Sequence, residues 1–360
     1  MHIPDGYLSP STCATLYAFS AAGWYSALRR TKRAFATRTI PLISVFAAFS
    51  FVVMMFNVPL PGGTTGHALG VTVAAIVLGP WASALAVSLA LAIQALLFGD
   101  GGITTLGANC FNMAIVGSFV AYGVYRLIAS GAEISSKRRI TAAAVAGYVS
   151  INVCALLTAI EFGIQPAFFH DASGAPLYAP YPLRVAIPAM MIGHLTFAGL
   201  AEAVISAGMV SYLLRSDSRL ISVPNHSSPD LAPGTVQTRA GWGRPLWWAV
   251  GLLLLCTPLG ILAAGTAWGE WSAGDLANGH ARAQISVASG NHEPPALIPP
   301  GLQKLASLWT APFPGYAPGF IKSPFLGYLL SGMFAVGLFV MTSLIAMSIG
   351  RKWRRREASS

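Results

Sequence analysis

The chain opens Met1-His2-Ile3-Pro4-Asp5-Gly6 and later carries Gly62-Gly63-Thr64-Thr65-Gly66-His67. A free amine followed at once by histidine offers three nitrogens to one metal ion. They are the Met1 α-amine, the His2 backbone nitrogen once deprotonated, and a ring nitrogen of His2. Joined in that order they form fused chelate rings that favour one plane, which suits nickel(II) and copper(II). A fourth nitrogen would complete the plane, and His67 is the best candidate. The arrangement requires an unextended, unclipped amino terminus.

Other polar residues sit in apolar stretches and need accounting. His194 and Glu202 fall in one apolar run, on neighbouring faces of a helix. Glu202 there needs a partner, either within the bundle or as part of an ion path. Asn109 and Asn112, three apart, can face the same way. They read as orienting residues behind the ligands or as hydrogen bonds between helices. Asp100, in Gly99-Asp100-Gly101-Gly102, reads as an external turn near the site, its carboxylate either attracting cations or simply solvated. His170, His226, His280 and His292 lack ligand spacing and are given no role.

These residues must be held by membrane helices. Of 360 residues 54% are hydrophobic and 9% charged, and Thr39–Gly99 carries a single ionisable side chain, His67. That composition describes an all-α polytopic membrane protein. Cys13, Cys110, Cys154 and Cys256 are scattered in apolar sequence without a C-x-x-C pair, and read as small core residues. The formal charge of +10 is not a nucleic-acid signature. Its basic residues cluster around 29–38, 126–139, 215–244 and 351–356, beside apolar runs, which is the positive-inside pattern. The amino terminus lacks the basic leader of a cleavable signal.

Nine apolar runs are expected to form spans: 9–28, 40–58, 66–78, 81–98, 107–128, 140–160, 184–214, 245–265 and 325–349. The third is short for a crossing and is expected to be tilted, broken or partial. Alternation puts the amino terminus outside, the basic tail 351–360 in the cytoplasm, and Met1-His2 on the same side as His67. Ser9-Pro10 marks a helix start, and Ile3–Gly6 suits a β-turn aiming the terminus inward. The domain division is a metal-binding bundle over 1–214, a cytoplasmic linker over 215–240, and a two-span module over 241–350 with an external loop. No G-x-x-x-x-G-K-[ST], G-x-S-x-G or H-E-x-x-H motif occurs, so neither ATP hydrolysis nor common hydrolase chemistry is expected of this chain.

Several motifs in order resemble one family. Met1–Gly6, Pro61–His67, Leu78-Gly79-Pro80-Trp81, Gln94–Gly102, Leu106–Asn109 and Asn112-Met113 are similar to the CbiM/NikM family. The resemblance covers about residues 1–214. It implies a substrate-binding subunit of an energy-coupling factor (ECF) transporter in the bacterial inner membrane, taking up nickel or cobalt, with nickel favoured. It also implies that Met1, His2 and His67 hold the ion. The partners it implies are a transmembrane coupling subunit and cytoplasmic ATPases. The metal is cargo, and no prosthetic group is expected. Residues from about 241 resemble the fused NikN-type (PDGLE) module, through Thr257–Gly260, Gly265–Trp271 and Ala311–Tyr316. The signature itself reads Pro299-Pro300-Gly301-Leu302-Gln303, without its two acids. The alternatives are a metal-independent secondary permease or an intramembrane hydrolase, either of which would tolerate an extra residue at the terminus.

Overall fold

The computed structural model describes residues 1–31, 39–133, 136–221, 244–263 and 265–357. Most of the 215–240 linker therefore lies outside the described residues. Helix α1 (Pro10–Thr31) begins as its sequence dictates: Ser9 Oγ accepts the Thr12 N–H at 3.2 Å, and Pro10 needs no partner for a nitrogen without hydrogen. Helix α2 (Thr39–Met54) leads into a two-stranded antiparallel hairpin, β1 (Asn57–Leu60) and β2 (Thr64–His67), in which Asn57 is paired with His67. Every residue of β2 is buried.

Residues 66–78 do not form a span. They hold the end of β2 and an eight-residue helix, α3 (Val71–Leu78), about 12 Å long. Gly and Pro around it turn the chain before a full crossing is built. Irregular backbone of this kind is tolerated at membrane depth only inside protein. Helix α4 (Pro80–Ile93) runs on through a π-helical turn, Gln94–Phe98. A short α5 (Leu106–Asn109) continues through a second π turn, Cys110–Val116, into α6 (Gly117–Ala129). After α7 (Lys137–Phe168), helix α8 (Leu183–Gly193) passes through a third π turn, His194–Ala198, into α9 (Gly199–Ser216).

Among the described residues six helical stretches are long and apolar enough to cross a membrane: 80–98, 106–129, 137–168, 183–216, 245–262 and 324–348. Residues 40–54 form a shorter apolar helix. The nine-span count is thus corrected: the third run is partial, and α1 is less apolar than its length suggests.

The carboxy-terminal part is α10 (Arg244–Cys256), a short 3₁₀ turn over Thr257–Leu262, and the long α14 (Pro324–Glu357). Between them lie the short helices α11 (Ala273–Ala277), α12 (Gly279–Ala288) and α13 (Pro300–Leu305). This Pro-, Gly- and Trp-rich segment is packed against the first residues of the chain. Tyr7 donates to the Trp271 carbonyl at 2.7 Å, and Trp271 meets Trp268 and Tyr181 edge to face.

Candidate functional site

The amino-terminal residues are drawn inside the bundle. Met1 is 2% exposed, His2 1% and Ile3 0%, an unusual degree of burial for a terminus. The local turn is one residue later than Ile3–Gly6: the Tyr7 N–H reaches the Pro4 carbonyl, which puts Gly6 third. Its φ of +87° is the reason for glycine there. A Cβ on Gly6 would also come within 2.6 Å of the Leu302 backbone, so the degraded 299–303 motif sits directly on this turn.

Asp5 fixes the turn from the other side. Its Oδ1 accepts the Thr104 N–H at 2.7 Å and its Oδ2 the Ile103 N–H at 3.1 Å. Asn109 clamps the next residue: its Oδ1 accepts the Ile3 N–H at 2.8 Å and its Nδ2 donates to the Ile3 carbonyl at 3.1 Å. Both groups of Ile3 are thus paired as a neighbouring strand would pair them. The backbone immediately after His2 has no freedom left.

With that backbone fixed, the His2 and His67 rings lie 4.9 Å apart, inclined by 30°. His67 Nδ1 lies 3.0 Å from the Ala68 carbonyl, which can only accept, so Nδ1 carries the hydrogen and Nε2 presents a lone pair. That Nε2 is buried and has no hydrogen-bond partner. The Met1 amine is 2.9 Å from Glu270 Oε1, and His2 Nδ1 is 2.5 Å from Asp100 Oδ1. The second contact is close but not an aligned hydrogen bond, so neither ring nitrogen of His2 has one.

Asp100 is therefore drawn into the site rather than solvated as a turn. Burial opposes its ionisation, but the charge and contact of His2 outweigh this and hold its carboxyl below the usual range. Tyr316 donates to Asp100 Oδ2 at 2.5 Å, and Gln94 to the same oxygen at 3.2 Å. Burial, and then the charges of His2 and the Met1 amine, push His67 down to about 3, so its ring is neutral at physiological pH.

Glu202 finds a partner, though not a cation. Its Oε2 accepts the Leu69 N–H at 2.7 Å and the Gly70 N–H at 3.0 Å, at the amino end of α3 and directly after His67-Ala68. Asn112 is not brought to the two rings. It donates to Glu161 at 2.8 Å and Thr158 at 3.3 Å, and so ties its helix to α7. These are the interhelical bonds that the sequence allowed for Asn112.

His194 Nδ1 lies 2.8 Å from the Met190 carbonyl, leaving its Nε2 buried and unpartnered. Glu270 and Tyr316 were not legible as site residues, because nothing in the sequence around them shows that a segment some 270 residues away folds over the terminus. Among the described residues no group of three or more His, Cys, Asp or Glu side chains could hold a metal ion. The donors gathered here are two imidazoles, an amine and a backbone nitrogen.

Fold and site together describe a multi-pass membrane protein with a buried pocket of nitrogen donors and two carboxylates beside them. Residues 2–220 match the family described as "Cobalt uptake substrate-specific transmembrane region". The chain belongs to the CbiM family, with a NikN-type module fused at its carboxy-terminal end. It is 51% identical over 358 residues to a fused nickel transport protein, NikMN, of Rhodobacter capsulatus, covering 99% of this chain and 100% of that one. It is 40% identical over 345 residues to a probable fused nickel transport protein, LarMN, of Lactiplantibacillus plantarum, covering 95% and 96% respectively. A solved structure described as a truncated transition metal transporter is 53% identical, with a TM-score of 0.56, covering 60% of this chain and 99% of that one. The chain thus belongs to a family of nickel and cobalt transport proteins and is a transporter subunit rather than an enzyme.

Proposed function

We propose that the chain is the substrate-binding subunit of an ECF-type importer that captures nickel(II) in the plane of four nitrogens from Met1, His2 and His67. Nickel is favoured over cobalt because a planar nitrogen set suits it, and because the two relatives that match nearly the full chain are called nickel transport proteins. The observation that carries the reading is the buried terminus, with the His2 ring 4.9 Å from the His67 ring and the His67 Nε2 lone pair bare.

The two carboxylates give the capture step its chemistry. Metal binding must displace protons from the amine and from the His2 amide. Glu270 touches the amine and Asp100 touches the His2 ring. Each attracts the incoming cation; the displaced protons leave to solvent, that of the amine past the partly exposed Glu270. Asn109, Asp5 and Glu202 hold the donor backbones in place. We divide the chain into a capture bundle over 1–214 and a covering module over 241–350, a reading supported by the contacts of Glu270, Trp271 and Tyr316 with the amino-terminal region. A transmembrane coupling subunit and cytoplasmic ATPases would supply the energy. In this reading the amino terminus lies outside the inner membrane and the basic tail inside.

The test is to insert one alanine between Met1 and His2 in the full chain and titrate it with Ni²⁺ by calorimetry. The insertion enlarges a chelate ring and removes the buried fit, so affinity should fall by about 100-fold or more. Wild-type affinity in the insertion variant would overturn the coordination.

A further inference from the structure

His194 is a second imidazole prepared in the same way as His67, yet the planar set does not use it. Its ring is 3% exposed. Its Nδ1 hydrogen is committed to the Met190 carbonyl at 2.8 Å, which fixes the tautomer and leaves a lone pair on Nε2. That lone pair is buried without a partner. A backbone carbonyl on one ring nitrogen and a bare lone pair on the other is the usual preparation of a metal-ligating histidine. A histidine kept only for packing would leave a polar atom unpaired at a cost of about 1–3 kcal/mol.

Its position is as telling as its protonation. His194 opens the π turn His194–Ala198, and such widened turns recur at functional sites. The turn packs on the hairpin that carries His67. Ala198 lies beside Gly66, and a Cβ on Gly193 would meet Leu60 Cδ1 at 2.8 Å, so glycine permits the close approach. The amino-terminal loop meets this span at its other end, where the Ala179 N–H bonds the Tyr7 carbonyl at 3.0 Å. From Leu183 to His194 the helix rises about 16 Å, roughly half of a bilayer's hydrocarbon core. His194 thus lies beside the capture set, but well inside the bundle.

We propose that His194 is a transfer ligand: its Nε2 takes the divalent cation as the Met1–His2–His67 set releases it, giving the ion a nitrogen donor on its way through the bundle. This rests on the capture site proposed above. It requires that His194 act in sequence with that set, which fits the lack of any cluster of three ligating side chains among the described residues.

The experiment compares His194→Gln, His194→Cys and His67→Ala in the full chain. Two quantities are measured: equilibrium Ni²⁺ binding to the purified protein, and ⁶³Ni²⁺ uptake by cells making the complete transporter. Gln keeps an amide donor for the Met190 carbonyl but removes the imidazole; Cys restores a soft donor atom without that hydrogen bond. Transfer predicts that both variants bind Ni²⁺ within about threefold of wild type. It also predicts that Gln loses uptake by about tenfold or more and that Cys recovers part of it. Uptake by the Gln variant equal to wild type overturns the proposal. So does Gln transporting better than Cys, which would mark a structural role, or loss of binding in both, which would make His194 part of capture or of folding. His67→Ala reports separately on the capture set: if it still binds Ni²⁺ as wild type does, that reading fails whatever His194 does.

Discussion

The imidazole of His67 is enclosed on β2, with Nδ1 turned to the Ala68 carbonyl, and its charge state follows from that enclosure. In the folded protein it titrates near 3, against about 6.5 in an unfolded chain. Between these values the unfolded state binds a proton that the native state refuses, so stability rises with pH there. The contribution is complete above about pH 6.5 and is lost as pH falls toward 3. Thermal unfolding should therefore show about 1.5–2 kcal/mol less stability at pH 5 than at pH 6.5 from this group alone. His67→Asn should remove that part of the acid dependence; an identical pH profile in the variant would show that His67 is not held neutral. A second residue-scale prediction concerns Asn109, which bonds both backbone groups of Ile3. Asn109→Ala leaves the buried Ile3 N–H unpaired, while the Ile3 carbonyl keeps the Gly102 N–H and the Thr105 hydroxyl; it should cost about 1–3 kcal/mol and weaken Ni²⁺ binding about tenfold or more. Calorimetric titration showing unchanged affinity would mean that the Ile3 clamp does not position the terminus.

At the scale of elements, the site is built where regular structure is interrupted. Each of the three π turns adjoins a polar group of the region: Gln94 at the first, Asn109 and Asn112 at the second, His194 at the third. Much of this was legible in the sequence. The Ser9-Pro10 start of α1, the apolar runs that became long helices, and the shortness of the third run all follow from local rules of capping and length. The π turns were not, because they arise from one extra residue accommodated within a helix whose apolar pattern is unchanged. Nor was the hairpin: Val58 reads as the end of an apolar span and Pro59-Leu60 as the loop after it, and only their pairing with Thr64–His67 makes them a strand. Glu202 shows the same limit. The sequence demanded a partner for it, within the bundle or along an ion path, without naming one, and the structure supplies the two amides at the start of α3. Glu202→Ala removes the single oxygen that both amides share. Two buried N–H groups then lose that acceptor. The variant should be about 1–3 kcal/mol less stable for each and bind Ni²⁺ more weakly. A thermal midpoint and affinity equal to wild type would remove Glu202 from the set of positioning residues.

At the scale of the whole molecule, the amino terminus is enclosed by chain from both ends of the sequence. Asp5 and Asn109 hold it from within the bundle, while Leu302 packs on Gly6, Trp271 accepts from Tyr7, and Tyr316 bonds Asp100. No local signal announces this closure, because it depends on a segment whose motifs carry no charge of their own at 299–303. A charge that the segment does deliver is Glu270, 2.9 Å from the Met1 amine. In the capture mechanism proposed here that ion pair and the metal compete for the same nitrogen, since an amine bound to nickel has surrendered its proton and left the carboxylate. Met1 is almost fully buried, but Glu270 remains 21% exposed, so solvent screens the pair and its worth is bounded near 1 kcal/mol. Glu270→Gln should then raise equilibrium Ni²⁺ affinity by no more than about fivefold. Because the same carboxylate also draws the cation in, the variant should load more slowly at low salt, with the difference shrinking as salt screens the attraction. Stopped-flow loading across a salt series, together with calorimetric affinity, separates the two effects. A Glu270→Gln variant that binds more weakly at equilibrium would mean that the carboxylate supports the bound ion instead of competing with it.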